Sequence, residues 1–493
     1  MFRSLPFLFL NQSTSQPVNQ STSQLFSRQP FFVSKIVVLG YSIVKLACLT
    51  IFSIFLAFFG NKGRNMNIIG FGKTDGILSA GDVRDIIRDA SARIGPAGKR
   101  VLVIIPDHTR TCPLPLVARE LHAAIAPAAA KLDFLVALGT HPPMSPAAID
   151  KLLGISPGER PAVLPGSEVF NHDWKNPDAL ACIGKFSAEQ VAGYLGAGNE
   201  RFAREIDVTV NKLIFDYDIV MIAGPVFPHE VVGFSGGAKY FFPGICGEEL
   251  LNFFHWLGAL ITIPKTIGLK DTPTRQMLHA AMDMIAVEKF ALSMVVTGQD
   301  LAGLYFDKVR PSWSAAVDLA DKLMITYCEK PFDSILSRAP AMYDELWTGG
   351  KCMYKMECVV ADGGELIIYA PHIHELAEAH GRIIEEIGYH SLPYFTEQWD
   401  KFKAYPWGIL AHSTHVRGIG TYENGVERSR VKVTLATGIP EEICRKINMG
   451  YRDPASIDIA DWQGKEDQGK LYIPKAGETL YRLKTPPTWQ QCG

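Results

Sequence analysis

The stretch "KRVLVIIPD" (Lys99–Asp107) is a short β-branched run that ends in a polar loop. Helical apolar spacing follows over Pro115–Lys131, and a second buried strand is predicted over Leu132–His141. "SPAAIDKLLG" then begins a helix with its serine as N-cap, and a further strand is predicted over Leu213–Pro225. Strands alternating with helices in this way predict an α/β fold with mostly parallel sheets.

A second block of the same kind follows. It contains a helix that begins near Thr272 or Thr274, a strand in "FALSMVVTG", a helix in "SWSAAVDLADKLMITYC" and a strand in "GGELIIYAP". We therefore place a boundary near residue 270, with an N-terminal catalytic α/β domain over 66–270 and a C-terminal α/β domain over 271–493. The 493 residues suffice for two domains of roughly 200 residues each. The active site is expected in the crevice between them.

Composition excludes some classes of function. The chain is 47% hydrophobic and 20% charged, with a net charge of −2, so no basic field favours nucleic acid. Its nine cysteines are dispersed and form no CxxC pair, which indicates reduced thiols and predicts a cytoplasmic protein.

Residues 1–65 differ from the rest. They carry a polar repeat, "NQSTSQPV" then "NQSTSQLF", and an apolar run over Phe31–Gly60 that is long enough to span a bilayer. One interpretation is a single-pass membrane anchor, although Lys45 lies inside the run. The run lacks a small-residue cleavage site, so it is a poor signal peptide. The other interpretation is translated upstream sequence, with Met66 as the true start. Membrane contact is expected only if residues 31–60 belong to the protein.

Three polar loops follow three predicted strands: "DHTRTCP", "GTHPPMS" and "PHEVVGFSGG". In open α/β sheets, ligands bind outside the carboxyl ends of the strands, so parallel strands would bring these loops to one crevice. His141 and His229 are then candidates for proton transfer, and ordinary hydrogen-bonded histidines are the alternative. Arg110 could bind a carboxylate or phosphate, or form a loop salt bridge with Asp107.

The segment "FPHEVVGFSGGAKYFFPGICG" (Phe227–Gly247) places Lys239 between glycines and aromatic residues. Gly233, Gly236 and Gly237 leave backbone N–H groups accessible to an anion, although most such runs are turns. A desolvated lysine has a lowered pKa and can form a covalent bond. The alternative is a lysine that extends over aromatic rings to solvent.

Two further histidine segments suggest metal chemistry. His255 lies in the apolar "LLNFFHWLGAL", where it could be a metal ligand or a core histidine with one hydrogen bond. "HIHELAEAH" (His372–His380) has neither HExxH nor a cysteine pair, which argues against structural zinc.

Taken together, these motifs resemble the nickel-pincer nucleotide-dependent lactate racemase family. The resemblance rests on "DHTR", "GTH", "PH" followed by "GFSGGAK", "PGI" and "HW", in that order, with ten residues from His229 to Lys239 and sixteen more to His255. It covers nearly all of residues 66–493.

The resemblance implies a role for each matching residue. Lys239 would hold the nickel-pincer nucleotide (nickel pyridinium-3,5-bisthiocarboxylic acid mononucleotide) through a thioamide, and His255 would complete nickel coordination beside two sulfurs and one carbon of that cofactor. The other implied residues are the acid and base His141 and His229, the active-site loop residues Asp107 and Arg110, the substrate-contacting Lys351, and the cofactor-binding Ser235, Gly236 and Gly237. Thr348 stands where the family often has glutamine, so the substrate need not be lactate.

The implied function is a racemase or epimerase of a 2-hydroxy acid that removes hydride from C2 and returns it to the other face. Its partners would be the hydroxy acid and the cofactor-synthesis proteins. One alternative is a metal-assisted hydrolase or lyase that uses His141, His229 and His255 around zinc. Another is a non-catalytic binding protein.

Overall fold

The computed structural model describes residues 68–139 and 141–490. The predictions for residues 1–65, the polar repeat, the apolar run and the start at Met66, lie outside the described residues. Within the described ranges, no helix has both the length and the apolar character needed to cross a membrane. The seven cysteines that lie there are free thiols.

The strands of the described residues are short and distributed along the whole chain. In chain order they are β1 (Ile69–Gly72), β2 (Arg100–Pro106), β3 (Lys131–Ala137), β4 (Val169–Asn171), β5 (Leu180–Phe186), β6 (Ile206–Asn211), β7 (Ile219–Pro225), β8 (Pro228–His229), β9 (Gly233–Phe234), β10 (Glu288–Thr297), β11 (Asp300–Lys308), β12 (Ile325–Cys328), β13 (Phe332–Arg338), β14 (Val360–Ala370), β15 (Gly420–Glu423), β16 (Val426–Ser429), β17 (Lys432–Thr437), β18 (Gly450–Tyr451), β19 (Lys470–Ile473) and β20 (Leu480–Leu483).

Helices separate most of these strands. Those of the described residues span Ala80–Ile94, Leu114–Ile125, Pro146–Leu152, Arg160–Val163, Ala188–Leu195, Glu248–Ile261, Pro273–Asp283, Val309–Met324, Leu346–Gly349, Lys351–Tyr354, Gly381–Ile387, Leu392–Glu397, Trp399–Phe402, Trp407–Arg417 and Glu441–Lys446.

A seven-stranded sheet carries the first half of the described chain, in the order β1-β11-β10-β7-β2-β3-β4. The pairs β10–β7, β7–β2, β2–β3 and β3–β4 are parallel, and the two pairs made by β11 are antiparallel. A five-stranded sheet in the order β18-β17-β14-β13-β19 is parallel throughout. The predicted α/β fold with mostly parallel sheets is confirmed.

Strand β2 contains the apolar run of "KRVLVIIPD", and the packing on its two faces explains why that run is continuous. Val101, Val103 and Ile105 belong to one hydrophobic cluster, whereas Leu102 and Ile104 belong to another. Alternate side chains of a strand point to opposite faces of the sheet, so both faces of β2 are covered. A strand buried on both faces reads as a continuous apolar run and not as an alternating one.

Side-chain caps and a proline set the ends of several helices. The predicted N-cap Ser145 accepts the Ala148 N–H, and Thr272, near which a helix start was predicted, caps its helix by accepting the Arg275 N–H. The helix expected over Pro115–Lys131 ends at Ile125, because Pro127 has no N–H to continue the hydrogen-bond ladder.

The strand expected from Leu213 begins only at Ile219, because a 3₁₀ turn spans Lys212–Asp216. The side chain of Asn211 starts this turn by accepting the Leu213 N–H at 3.0 Å. The domain boundary near residue 270 stays a prediction, and the seven-stranded sheet includes β10 and β11, which follow that position.

Candidate active site

One cavity lies at the carboxyl ends of the central parallel strands. The chain runs from β2 to β3 and β4 on one side of the sheet and later places β7 on the other side of β2. The strand order therefore reverses between β2 and β7, which is where open α/β sheets bind ligands. The predicted site residues that line this cavity are Asp107, Arg110, His141, His229, Ser235, Gly236, Lys239, His255 and Lys351.

Asp107 and His141 form a hydrogen-bonded pair across two of the three loops. Nδ1 of His141 bonds Oδ2 of Asp107, while Oδ1 accepts the Thr109 hydroxyl at 2.6 Å and its N–H at 3.1 Å. Burial alone would raise the pKa of Asp107, but the hydrogen bond and charge of His141, with the charge of Arg110, hold it well below its ordinary value. The ionised carboxylate accepts a hydrogen bond from Nδ1–H, so the lone pair of the neutral ring lies on Nε2.

His229 ends the short strand β8 and is buried. Its Nδ1 accepts the backbone N–H of Val231 at 3.2 Å, so the proton of the neutral ring lies on Nε2. Burial lowers the pKa of His229 well below its ordinary value, and the charges of Lys239 and Arg110 act in the same direction. The two predicted acid–base histidines thus have opposite tautomers in this structure.

Lys239 lies in a 3₁₀ turn over Gly237–Tyr240, directly after the glycine run. Burial lowers its pKa from 10.5 to about 7, and the charge of Arg110 adds to this effect. Nothing within residues 68–139 and 141–490 bonds or pairs with its ammonium group. A partly buried amine with this pKa is neutral and nucleophilic in a substantial fraction near pH 7.

The glycines before Lys239 are required by packing. Gly236 and Gly237 have φ values of +78° and +56°, and a Cβ on Gly237 would lie 2.9 Å from the side chain of Trp313. Trp313 Nε1 also donates to the Ser235 carbonyl at 2.8 Å, and the buried Arg275 donates to the carbonyls of Phe234 and Gly236. The loop under Lys239 is therefore fixed from the side facing the core.

These contacts bear on the predicted cofactor loop. Ser235 and Gly236 line the cavity, but Gly237 is not part of its lining. The Ser235 hydroxyl bonds within the loop, donating to the Pro225 carbonyl at 3.0 Å and accepting the Phe227 N–H at 3.0 Å. The cofactor-binding role of these three residues stays a prediction.

His255 lies on the helix Glu248–Ile261, which we call the His255 helix. Its Nδ1 is 2.8 Å from the Leu251 carbonyl, which can only accept, so Nδ1 carries the proton. Burial lowers the pKa of His255, which keeps the ring neutral. Nε2 then has a free lone pair, as a metal ligand requires, and metal-bound histidines commonly donate their other ring N–H to a carbonyl in this way.

Two cations complete the predicted set. Arg110 donates to the Thr109 hydroxyl at 2.8 Å, and Lys351 lies over the Tyr343 ring at 4.9 Å. Burial lowers the pKa of Lys351 to about 8, and the charge of Arg110 contributes. Thr348 lines the cavity too, and its hydroxyl donates to the Glu345 carbonyl at 3.0 Å.

The sequence analysis missed Glu230, His412 and His415, all of which line the cavity. The two histidines lie on the helix Trp407–Arg417, which packs against the His255 helix. Their i, i+3 spacing in "HSTH" places both on one helix face and was the available signal. Burial lowers the pKa of His415 to about 4. Its Nε2 is buried and makes no hydrogen bond with any residue that the structure describes.

Histidines, lysines and a carboxylate thus gather at the switch point of the sheet. This arrangement is typical of doubly wound α/β folds that bind ligands. Comparison with known proteins narrows this class. The lactate racemase N-terminal domain family matches residues 86–265. This match and the relatives described next support a lactate racemase-like family.

Two curated relatives are lactate racemases. The one from Thermoanaerobacterium thermosaccharolyticum is 25% identical over 302 residues, which cover 57% of this chain and 61% of the relative. The one from Lactiplantibacillus plantarum is 28% identical over 173 residues, covering 34% of this chain and 35% of the relative. The alignments thus span less than two thirds of either relative.

Solved structures extend the likeness to most of the chain. A structural-genomics protein from Thermotoga maritima is 33% identical with a TM-score of 0.74, covering 83% of this chain and 99% of that one. The lactate racemase apoprotein from T. thermosaccharolyticum has a TM-score of 0.61 at 18% identity, covering 84% of this chain and 94% of that one. This second likeness concerns the fold alone.

Proposed function

We propose that this protein is a racemase or epimerase of a 2-hydroxy acid that works through a lysine-tethered nickel-pincer nucleotide. The observation that carries the proposal is the convergence of two histidines, Lys239 and His255 on one cavity at the switch point. Two curated relatives are named lactate racemase, which supports the reaction class. Inversion at C2 requires a proton-transfer group for each face, and His141 and His229 come from separate loops that line the same cavity.

The residues present suit the proposed cofactor. Lys239 offers an amine with a pKa of about 7 and no partner among the described residues, which suits covalent attachment. His255 offers a single neutral nitrogen donor, which suits a metal whose other ligands come from the cofactor itself. When bound, the cofactor supplies reversible acceptance of hydride from C2 of the substrate.

The protein's own residues position the acid and move its hydroxyl proton. Arg110 and Lys351 are the cations of the cavity that can hold the substrate carboxylate. Nε2 of His141 takes the hydroxyl proton, and Asp107 stabilises the imidazolium that results. His229 serves the opposite enantiomer. The keto acid between the two half-reactions is planar, so either face can be presented for return of hydride.

The zinc hydrolase or lyase is not favoured. In the part of the chain that the structure describes, no three His, Cys, Asp or Glu side chains are grouped so that they could hold a metal ion. A single histidine at the metal position matches a metal carried by a cofactor better than a zinc site with three protein ligands.

The test is co-expression with the cofactor-synthesis proteins, followed by mass analysis of Lys239 and a racemisation screen of 2-hydroxy acids in D₂O. We expect a mass increment on Lys239, loss of optical activity, and no deuterium at C2 because the hydride returns without exchange. Lys289→Arg, at a half-buried lysine outside the cavity, is the matched control and should keep the increment. Absence of both nickel and the increment from wild-type protein would refute the proposal.

A further inference from the structure

Each acid–base histidine of the cavity has a carboxylate at Nδ1, but the two pairs differ. Asp107 bonds Nδ1 of His141 directly. Glu230 places Oε2 3.4 Å from Nδ1 of His229, while the Val231 N–H occupies that nitrogen at 3.2 Å. His229 therefore has a donor and an acceptor competing for the same ring atom.

The group that bonds Nδ1 decides which ring nitrogen of His229 carries the proton and which can accept one. While Nδ1 accepts the Val231 N–H, the neutral ring carries its proton on Nε2 and has no lone pair there with which to take a hydroxyl proton. The reactive neutral form needs the proton on Nδ1, and a hydrogen on Nδ1 requires an acceptor. The Val231 N–H cannot accept, whereas the Glu230 carboxylate lies within reach.

Glu230 is suited to this task by its surroundings. It lines the same cavity, and its side chain is 21% exposed. Burial alone would raise its pKa, but the charge of His229 lowers it most, followed by its own backbone N–H, His415 and Lys351, so that the carboxyl stays ionised. The charged and titratable groups that act on His229 itself are Glu230, Lys239, Arg110 and His255.

We propose that Glu230 is the positioning residue of His229: its carboxylate accepts a hydrogen bond from Nδ1–H once the ring has released its Nε2 proton to solvent in the cavity and taken up a proton from solvent at Nδ1. This inference rests on the proposed function, in which His229 serves one of the two faces. In the reactive form, Nε2 takes the substrate hydroxyl proton, and the imidazolium so formed lies against the Glu230 carboxylate. Return of that proton to the substrate oxygen restores the neutral ring.

The structure thus assigns two different pairs to the two faces. The Asp107–His141 pair is already set for proton acceptance, whereas the Glu230–His229 pair must first exchange the Val231 N–H for the carboxylate. Catalysis by His229 therefore depends on a side chain that does not touch the reacting atoms.

The first test needs neither cofactor nor turnover. In unloaded protein labelled with ¹⁵N-histidine, His229 is assigned by the signal that disappears in His229→Gln. We expect wild type to show the Nε2–H tautomer near neutral pH, and Glu230→Gln to form the imidazolium about one pH unit lower. Glu230→Asp, which keeps the charge on a shorter side chain, should fall between the two. Glu248→Gln, at an exposed carboxylate on the His255 helix, should change nothing.

The second test uses the loaded enzyme. We expect Glu230→Gln to lower kcat about tenfold or more with KM nearly unchanged, and to move the acid limb of the pH–rate profile. An unchanged His229 titration, or an unchanged kcat in an active enzyme, would overturn the inference. If wild type turns over no hydroxy acid, the proposed function fails, yet the titration in unloaded protein still decides whether Glu230 controls His229.

Discussion

Replacement of Lys239 by methionine should stabilise the unloaded protein. Methionine has nearly the length of lysine but no charge, so it removes a partly buried amine that no described residue pairs with. The pKa of Lys239 falls from 10.5 to about 7 on folding. At about 1.4 kcal/mol per pH unit, this fall corresponds to about 5 kcal/mol in full and to slightly more than about 4 kcal/mol at pH 7, where about half of the folded amine is already neutral. Because the side chain is partly exposed, we expect a gain of about 2–4 kcal/mol in the free energy of unfolding.

The change of the unfolding free energy with pH tests whether Lys239 destabilises the folded protein. Between pH 7 and 10.5 the unfolded chain binds more protons at residue 239 than the folded one, so the wild-type free energy of unfolding rises with pH. The advantage of Lys239→Met should therefore shrink to about 1–2 kcal/mol at pH 9.

Urea unfolding of the unloaded proteins at pH 7 and pH 9 provides the measurement. Lys289→Met is the control, because the Lys289 ammonium donates to the Ile285 and Val287 carbonyls at 2.6 and 3.3 Å and its loss should not stabilise. A Lys239→Met protein that is less stable than wild type at pH 7, or whose advantage grows with pH, would refute the argument from desolvation.

Three further predictions concern the loop, the carboxylate and the metal position. Gly237→Ala should cost about 2–4 kcal/mol in urea unfolding, because its Cβ would lie 2.9 Å from Trp313 at φ +56°. Gly95→Ala, at φ +57° with open space, should cost only about 1–2 kcal/mol, and equal losses would contradict the packing argument. Asp107→Asn should lower kcat of the loaded enzyme about 10²- to 10⁴-fold with little change in KM, since the amide cannot stabilise an imidazolium; a loss confined to KM would argue against this role. His255→Ala should lower nickel content roughly 10- to 100-fold by elemental analysis while the mass increment on the lysine remains, and full nickel retention would remove His255 as the ligand.

The convergence of the three loops could be predicted from the sequence because it depends only on the strands that precede them running parallel. Strands β2, β3 and β7 are recognisable as apolar runs, and parallel pairing brings their carboxyl ends to one edge whatever the details between them. Asp107, His141 and His229 follow these strands within a few residues, so their meeting was implied once the pairing was parallel.

The remainder of the site depends on contacts that are distant in the chain. His412 and His415 reach the cavity only because their helix packs against the His255 helix, more than a hundred residues earlier. The requirement for glycine at position 237 comes from Trp313, whose position depends on a different helix. Local sequence patterns report neither contact.

The position of β10 bears on how this protein can be divided. The strand spans Glu288–Thr297, yet it lies inside the first sheet, between β11 and β7. A fragment cut near residue 270 would leave the edge of β7 unpaired and exposed, a condition that promotes aggregation. The matched region 86–265 thus lacks β10 and β11, two strands of the sheet to which β7 belongs. Chimeras between relatives should therefore exchange β10 and β11 together with the strands that precede them.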